Sequence, residues 1–229
     1  MRQSCILPLI LSVTRLLSGQ SAATATVSGR VVSETGLPLH ALISAESSTK
    51  GATIHLAAGM DGSFAFPALS AGKWSLCVAV PAEQSAKQNQ PFLNGCFWGS
   101  PEAVVQLVAG KNVSGLQLIA QTGVVQQVRI NDPQAILAAA APGAPALDKQ
   151  LQVFFRASDR IPRLPALTSQ DAQGRTYSLT IPHDTPLTLQ ATLQQGKVVN
   201  SAGNAVSGEI PVQVAAGVQP APITLTVSH

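Results

Sequence analysis

Charge is scarce in this chain, and so are aromatic rings. Of 229 residues, only 11% are Asp, Glu, Lys or Arg and 4% are Phe, Trp or Tyr. Helical proteins clothe their solvent faces with long charged side chains, and disordered ones carry more charge than apolar mass. Neither description suits a chain that is 45% hydrophobic. The formal net charge of +3 is spread thinly, with no Lys/Arg cluster of the kind that tracks a phosphate backbone, so nucleic acid is not expected as a partner. No apolar run is long enough to span a bilayer as a helix.

Catalytic signatures are missing too. None of the histidines (His40, His55, His183, His229) opens a zinc-binding H-x-x-E or H-E-x-x-H pattern, and there is no G-x-S-x-G elbow, Walker loop or dinucleotide glycine motif. Asp61, Asp171 and Asp184 lie near turns, but no loop gathers the several oxygens that calcium requires. His183 and Asp184 are neighbours between Pro182 and Pro186; a hydrolase would need a serine aligned with them in space, and a polar turn needs nothing more. The expectation is a protein that is not an enzyme and has no cofactor and no metal.

Turn formers, by contrast, are plentiful: 18 Gly and 16 Pro punctuate short runs of alternating apolar and polar residues. That is the pattern of an all-β protein. Asp61 to Val80 shows it best. Phe64 and Phe66 share one face; Trp74, Leu76, Val78 and Val80 share another, opposite Lys73, Ser75 and Cys77. An Asp61-Gly62 turn signal precedes them, and the spacing predicts an antiparallel strand pair joined through Ser70-Ala71-Gly72. Upstream, strands are expected over 26–32, over 39–45 (Leu39, Ala41, Ile43 and Ala45 on one face) and over 53–58; downstream, over 104–108 and 116–119.

The first residues are of another kind. Arg2 precedes an apolar stretch from Cys5 to Val13, interrupted by Pro8 and Ser12, and small residues follow from Ser18 to Ala25. This reads as a secretory signal peptide over 1–25, with cleavage at Ala23-Thr24-Ala25 or, alternatively, at Gly19 or Ala23. The implied location is secreted or in a bacterial cell envelope, periplasmic or extracellular. Two cysteines then remain, Cys77 and Cys96, and an even count in an exported chain suggests one disulfide, with two free thiols as the alternative. Such a bond would close a loop of about 20 residues, stabilising the fold by roughly 3 kcal/mol.

Gly29-x-Val31, Gly36-x-Pro38-Leu39, Asp61-Gly62-Ser63-Phe64-x-Phe66 and Leu69-x-Ala71-Gly72-x-Trp74-x-Leu76-x-Val78, taken together over residues 26–120, resemble the carboxypeptidase regulatory-like domain family. The resemblance implies a transthyretin-like (prealbumin-like) β-sandwich of about seven strands with a structural or adhesive role. One departure is His40-Ala41-Leu42, where the family usually has a Gly-Ala pair. A weaker related copy is expected over 121–229. Val105–Gly110 aligns without gaps with Val212–Gly217, Gly174–Pro182 imitates Gly62–Pro67, and Pro186–Ala191 imitates Trp74–Val80. Between strands at 124–130 and 151–155, the Ala- and Pro-rich stretch from Ala135 to Lys149 reads as an exposed insertion, with at most a helical turn over 136–141 ended by Pro142. The fold class is thus all-β, two tandem immunoglobulin-like or transthyretin-like β-sandwich domains.

Residues 81–102 show no periodicity and contain Phe92, Phe97 and Trp98. A loop of this length is usually functional or disordered. Exposed on a rigid sandwich, the three rings are the candidate ligand-binding residues, for a protein partner or a glycan. Tucked against the disulfide and the second domain, they would be a satellite core instead.

Overall fold

The computed structural model describes residues 24–229 apart from Lys50, Asp148, Lys149 and Ser207. The expected leader, with Cys5, lies outside the described residues except for Thr24 and Ala25. Along the first half run β1 (Thr24–Ser33), β2 (Leu42–Ser47), β3 (Thr53–Ala57), β4 (Ser63–Ser70), β5 (Gly72–Ala79), the short helices α1 (Ala82–Gln88) and α2 (Gly95–Trp98), β6 (Ala103–Leu107) and β7 (Val113–Ala120). The second half comprises β8 (Val124–Asn131), β9 (Leu151–Arg156), β10 (Ala166–Asp171), β11 (Gly174–Ile181), β12 (Leu187–Leu193), β13 (Lys197–Asn200), β14 (Ile210–Val212) and β15 (Ile223–Ser228).

Alternation places the core. Val27 and Val31 of β1, Ile43 and Ala45 of β2, Phe64, Phe66 and Leu69 of β4, and Trp74, Leu76 and Val78 of β5 all bury their side chains in one cluster. They come from two sheets, ordered β4-β1-β7 and β3-β2-β5-β6, which close face to face as a sandwich. The second core, centred on Val128, Ile130, Val153, Phe155, Tyr177, Leu189 and Leu225, lies between sheets ordered β10-β11-β8-β15-β13 and β14-β12-β9.

The two sandwiches share a wiring plan. β1 lies between antiparallel β4 and parallel β7, as β8 lies between antiparallel β11 and parallel β15. β5 lies between β2 and β6 as β12 lies between β9 and β14. Trp74 pairs with Val105 where Leu187 pairs with Val212, in the register of the gapless alignment. Two glycines mark corresponding corners. Gly62 (φ 76°) and Gly174 (φ 143°) both adopt a conformation that L side chains avoid, and a Cβ there would strike the carbonyl of Val31 or of Ile130. Val31 and Ile130 are themselves matched, pairing with Leu118 and Leu225.

Several expectations change. The stretch Asp61–Val80 is not a hydrogen-bonded strand pair: β4 pairs with β1 and β5 with β2 and β6, so the chain passes from one sheet to the other at Ala71. Alternation reports only that one face is buried. It reads the same for neighbours in a sheet and for strands facing each other across a core. Residues 81–102 contain α1 and α2, whose ends carry recognisable signals: Asn94 accepts from the Phe97 N–H, and Asn89 and Gly99 end the helices in the left-handed region. The insertion from Ala135 to Lys149 is not wholly exposed, because Ala146 is buried in the second core. No helical turn forms over 136–141; the Asp132 carboxylate accepts from the N–H groups of Ile136 and Leu137 instead. The alternation of the sequence does not mark β10 or β13: β10 is an edge strand of mostly exposed polar residues, and β13, an edge strand of four residues, is too short to show a period. At the family departure, Leu39 and Ala41 point into the core and His40 bonds the Ala58 carbonyl through Nδ1 at 2.6 Å.

Candidate functional site at the junction of the sandwiches

The segment from Pro81 to Glu102 leaves β5 of the first sandwich and returns to it at β6, but its middle reaches the second. It is anchored first by the Cys77–Cys96 disulfide, whose Cα atoms are 5.1 Å apart. Cys77 points out of its sheet, away from Trp74, so the bond draws α2 over the outer face of β5. Phe92 is buried in the first core and Leu93 in the second, with the Leu93 N–H donating to the Gln121 carbonyl and the Gly123 N–H to the Pro91 carbonyl.

Trp98 continues the crossing. Only 8% exposed, it belongs to the second core, and its indole N–H donates to the Thr180 carbonyl at 3.0 Å. Phe97 packs edge-on against it with ring centroids 5.9 Å apart, yet remains 40% exposed. Of the three candidate rings, then, Phe92 and Trp98 are held in the cores and Phe97 presents a surface to solvent.

Arg163 answers from the second sandwich. Its residue is 1% exposed, and its guanidinium lies 4.6 Å over the Trp98 ring. Nε donates to the Phe97 carbonyl at 2.8 Å, while the two terminal nitrogens take the Asp159 carboxylate at 2.9 and 2.6 Å. A buried guanidinium is tolerable only with its donors spent in this way. Hydrogen bonding from Arg163 lowers the Asp159 pKa to about 2. Sequence reading did not find Arg163: in the run Arg160 to Pro165 it looks like any loop arginine, and only the fold reveals its burial.

Glu102 closes the segment. Burial pushes its pKa up to about 7, against the hydrogen bond its carboxylate accepts from the Val78 N–H at 2.8 Å. A carboxyl whose folded pKa exceeds its unfolded one favours folding fully at pH below about 4.5, and this contribution is lost as pH rises to about 7. Glu102→Gln keeps an acceptor for Val78 without the charge. Its stability should therefore exceed that of the wild type at pH 8 by on the order of 2 kcal/mol, with the gap closing at pH 4.5. Thermal unfolding at the two pH values checks this; a constant gap would mean that Glu102 does not titrate there.

Beside the junction lies a cleft of about 510 Å³, lined from both sandwiches by Glu34, Trp98, Ser100, Thr122, Ser158 and His183 among others. Glu34 accepts from the Thr122 hydroxyl at 2.7 Å, and His183 bonds Asp184 through Nδ1 at 2.9 Å. Ser100 and Ser158 share the cleft with His183, but among the described residues no hydrogen bond joins His183 to a serine hydroxyl. Asp184 sits at a turn with φ 54°, its N–H donating to the Val214 carbonyl. Asp61 and Asp171 also serve their turns, bonding Ser63, and Gln173 with Arg129.

No family model matches this sequence, and the search of curated proteins finds no match. Among solved structures the chain is similar to the Bacillus anthracis TIE protein (10% identity, TM-score 0.34, covering 90% of this chain and 34% of that one). It is also similar to a Streptococcal ancillary pilin (12% identity, TM-score 0.39, 89% and 63%). A third is GBS52, the minor pilin of Streptococcus agalactiae (9% identity, TM-score 0.35, 90% and 97%). This chain thus spans about a third of the length of the first and under two thirds of the second. At these TM-scores the likenesses are distant. The fold itself is all-β, two sandwiches in tandem, with a disulfide between Cys77 and Cys96.

Proposed function

We propose that this is an exported, non-enzymatic structural module, with two β-sandwich domains at 26–120 and 121–229 joined as one stiff unit. The observation that carries the reading is the insertion of Trp98, from a loop of the first sandwich, into the core of the second. Flexible tandem domains meet through polar, solvent-separated surfaces; here an indole, a buried arginine and two main-chain hydrogen bonds fix the seam. The disulfide suits an oxidising compartment, which supports a secreted or cell-envelope location. Cleavage of a leader after Ala23, one of the alternative positions, would leave β1 whole, whereas cleavage after Ala25 would remove a core residue. The first domain is of the carboxypeptidase regulatory-like type, a reading supported by its motifs and by the use made of Gly62 and Trp74.

A second reading, recognition of a glycan through Phe92, Phe97 and Trp98, now falls mainly on Phe97, the ring with exposed surface. A glycan array probed with the wild-type chain and with Phe97→Ala separates the two. The structural reading expects no glycan bound above background. Binding by the wild type that is lost in Phe97→Ala would replace it.

A further inference from the structure

The outer face of the first sandwich sets a carboxylate beside the disulfide that anchors the loop, and the disulfide leaves that carboxylate unused. Glu46 stands on β2, outward-facing, one register step from Ser44, which pairs directly with Cys77. Cys96 arrives over the same face from the first turn of α2. The Glu46 carboxylate and the two sulfurs all lie within 4.8 Å of one another.

We propose that this is a redox-gated binding site for a thiophilic divalent cation of the zinc class. In the oxidised chain each sulfur shares one electron pair in the S–S bond and carries no charge, so neither is the thiolate that zinc binds. A small dithiol delivers two electrons: the Cys77–Cys96 bond breaks, the dithiol closes to its own disulfide, and two thiols form. A zinc ion then displaces both thiol protons to solvent and gains two thiolates. In a tetrahedral site, with Zn–S near 2.3 Å and Zn–O near 2.1 Å, donor atoms lie roughly 3.5–3.8 Å apart. The two sulfurs therefore need only draw apart to non-bonded distance, while Glu46 already stands within reach. Two thiolates and a carboxylate neutralise the cation and leave a net single negative charge. Cys77 is buried and Cys96 half-buried, so the fourth position falls to water on the side of exposed Glu46. Hard cations such as Mg²⁺ and Ca²⁺ prefer an all-oxygen shell and should not compete. The carboxylate is what sets this pair apart from a plain structural disulfide.

The test uses the full chain carrying Cys5→Ser, so that only Cys77 and Cys96 supply thiols. It is reduced with a phosphine, desalted without oxygen and titrated with Zn²⁺ against a chromophoric chelator. One zinc per reduced chain is expected, with none bound by the oxidised chain and none displaced by Mg²⁺ or Ca²⁺. Substituting Co²⁺ should produce thiolate-to-cobalt charge-transfer and tetrahedral d–d bands. Glu46→Gln, which leaves the disulfide in place for folding, should weaken zinc binding in the reduced form by at least about tenfold, a loss that outer-shell changes alone produce in metal sites. Three results overturn the proposal: zinc uptake equal in reduced and oxidised chains, an affinity unchanged by Glu46→Gln, or a reduced chain that loses its near-ultraviolet circular dichroism and takes up no cobalt.

Discussion

Replacing Trp98 with alanine is expected to destabilise the chain by about 3–5 kcal/mol, the range for removing a large aromatic side chain from a packed interior. The residue is 8% exposed, and its ring is shared by two neighbours that would both be stranded. The Thr180 carbonyl would lose its donor, and the Arg163 guanidinium would lose the aromatic face 4.6 Å below it. Where the damage appears matters as much as its size. Trp98 is covalently part of the first sandwich's loop but belongs to the second core and bonds the Thr180 carbonyl of β11. Loss of amide protection should therefore appear in β8 and β11, in the second sandwich, and the maximum dimension in small-angle scattering should spread as the seam loosens. Urea unfolding, hydrogen exchange and scattering together check this. A change below about 1 kcal/mol, with protection lost only in α2, would mean that the indole caps its own loop and does not join the sandwiches.

Much of this architecture is written in short-range pattern. Leu39, Ala41, Ile43 and Ala45 announce a strand face by period alone, and all four are buried. Where Val105–Gly110 matches Val212–Gly217, the two stretches begin alike, Val105 beside Trp74 and Val212 beside Leu187, but the second leaves its strand at Val212 while the first continues along β5 to Leu107. What alternation cannot carry is the partner of each strand. The run from Phe64 to Val78 reads equally as neighbours in one sheet or as opposite walls of a core, and the second arrangement is the one formed. The seam is still less legible. Arg163 becomes distinctive only when Trp98, Phe97 and Asp159, 65, 66 and 4 residues away in the chain, converge on it. Phe92, Phe97 and Trp98 stand out in so ring-poor a chain, but their chemistry is the same whether they face a ligand or a neighbouring core.

Arg163→Ala is the second large expected effect, about 2–3 kcal/mol of destabilisation, because it leaves the Phe97 carbonyl without its charged donor and opens a cavity against the Trp98 ring. Lysine should not rescue: a single ammonium cannot take both Asp159 oxygens while also donating to Phe97 and stacking flat on the indole. The pH dependence separates the ion pair from simple packing. In the wild type, hydrogen bonding from Arg163 lowers the Asp159 pKa from 3.8 to about 2. A depressed carboxyl pKa contributes stability that is present in full above the unfolded value and is lost as pH falls through the folded one. The stability difference between wild type and Arg163→Ala should therefore hold steady from neutral pH down to about pH 4 and narrow between pH 4 and pH 2. Chemical unfolding across that range measures it, and Asp159→Asn, which keeps the shape but not the charge, should show the narrowed difference at every pH. If the Arg163→Ala deficit were the same at pH 2 as at pH 7, the arginine would hold the seam by packing alone, and the bidentate contact with Asp159 would be incidental to it.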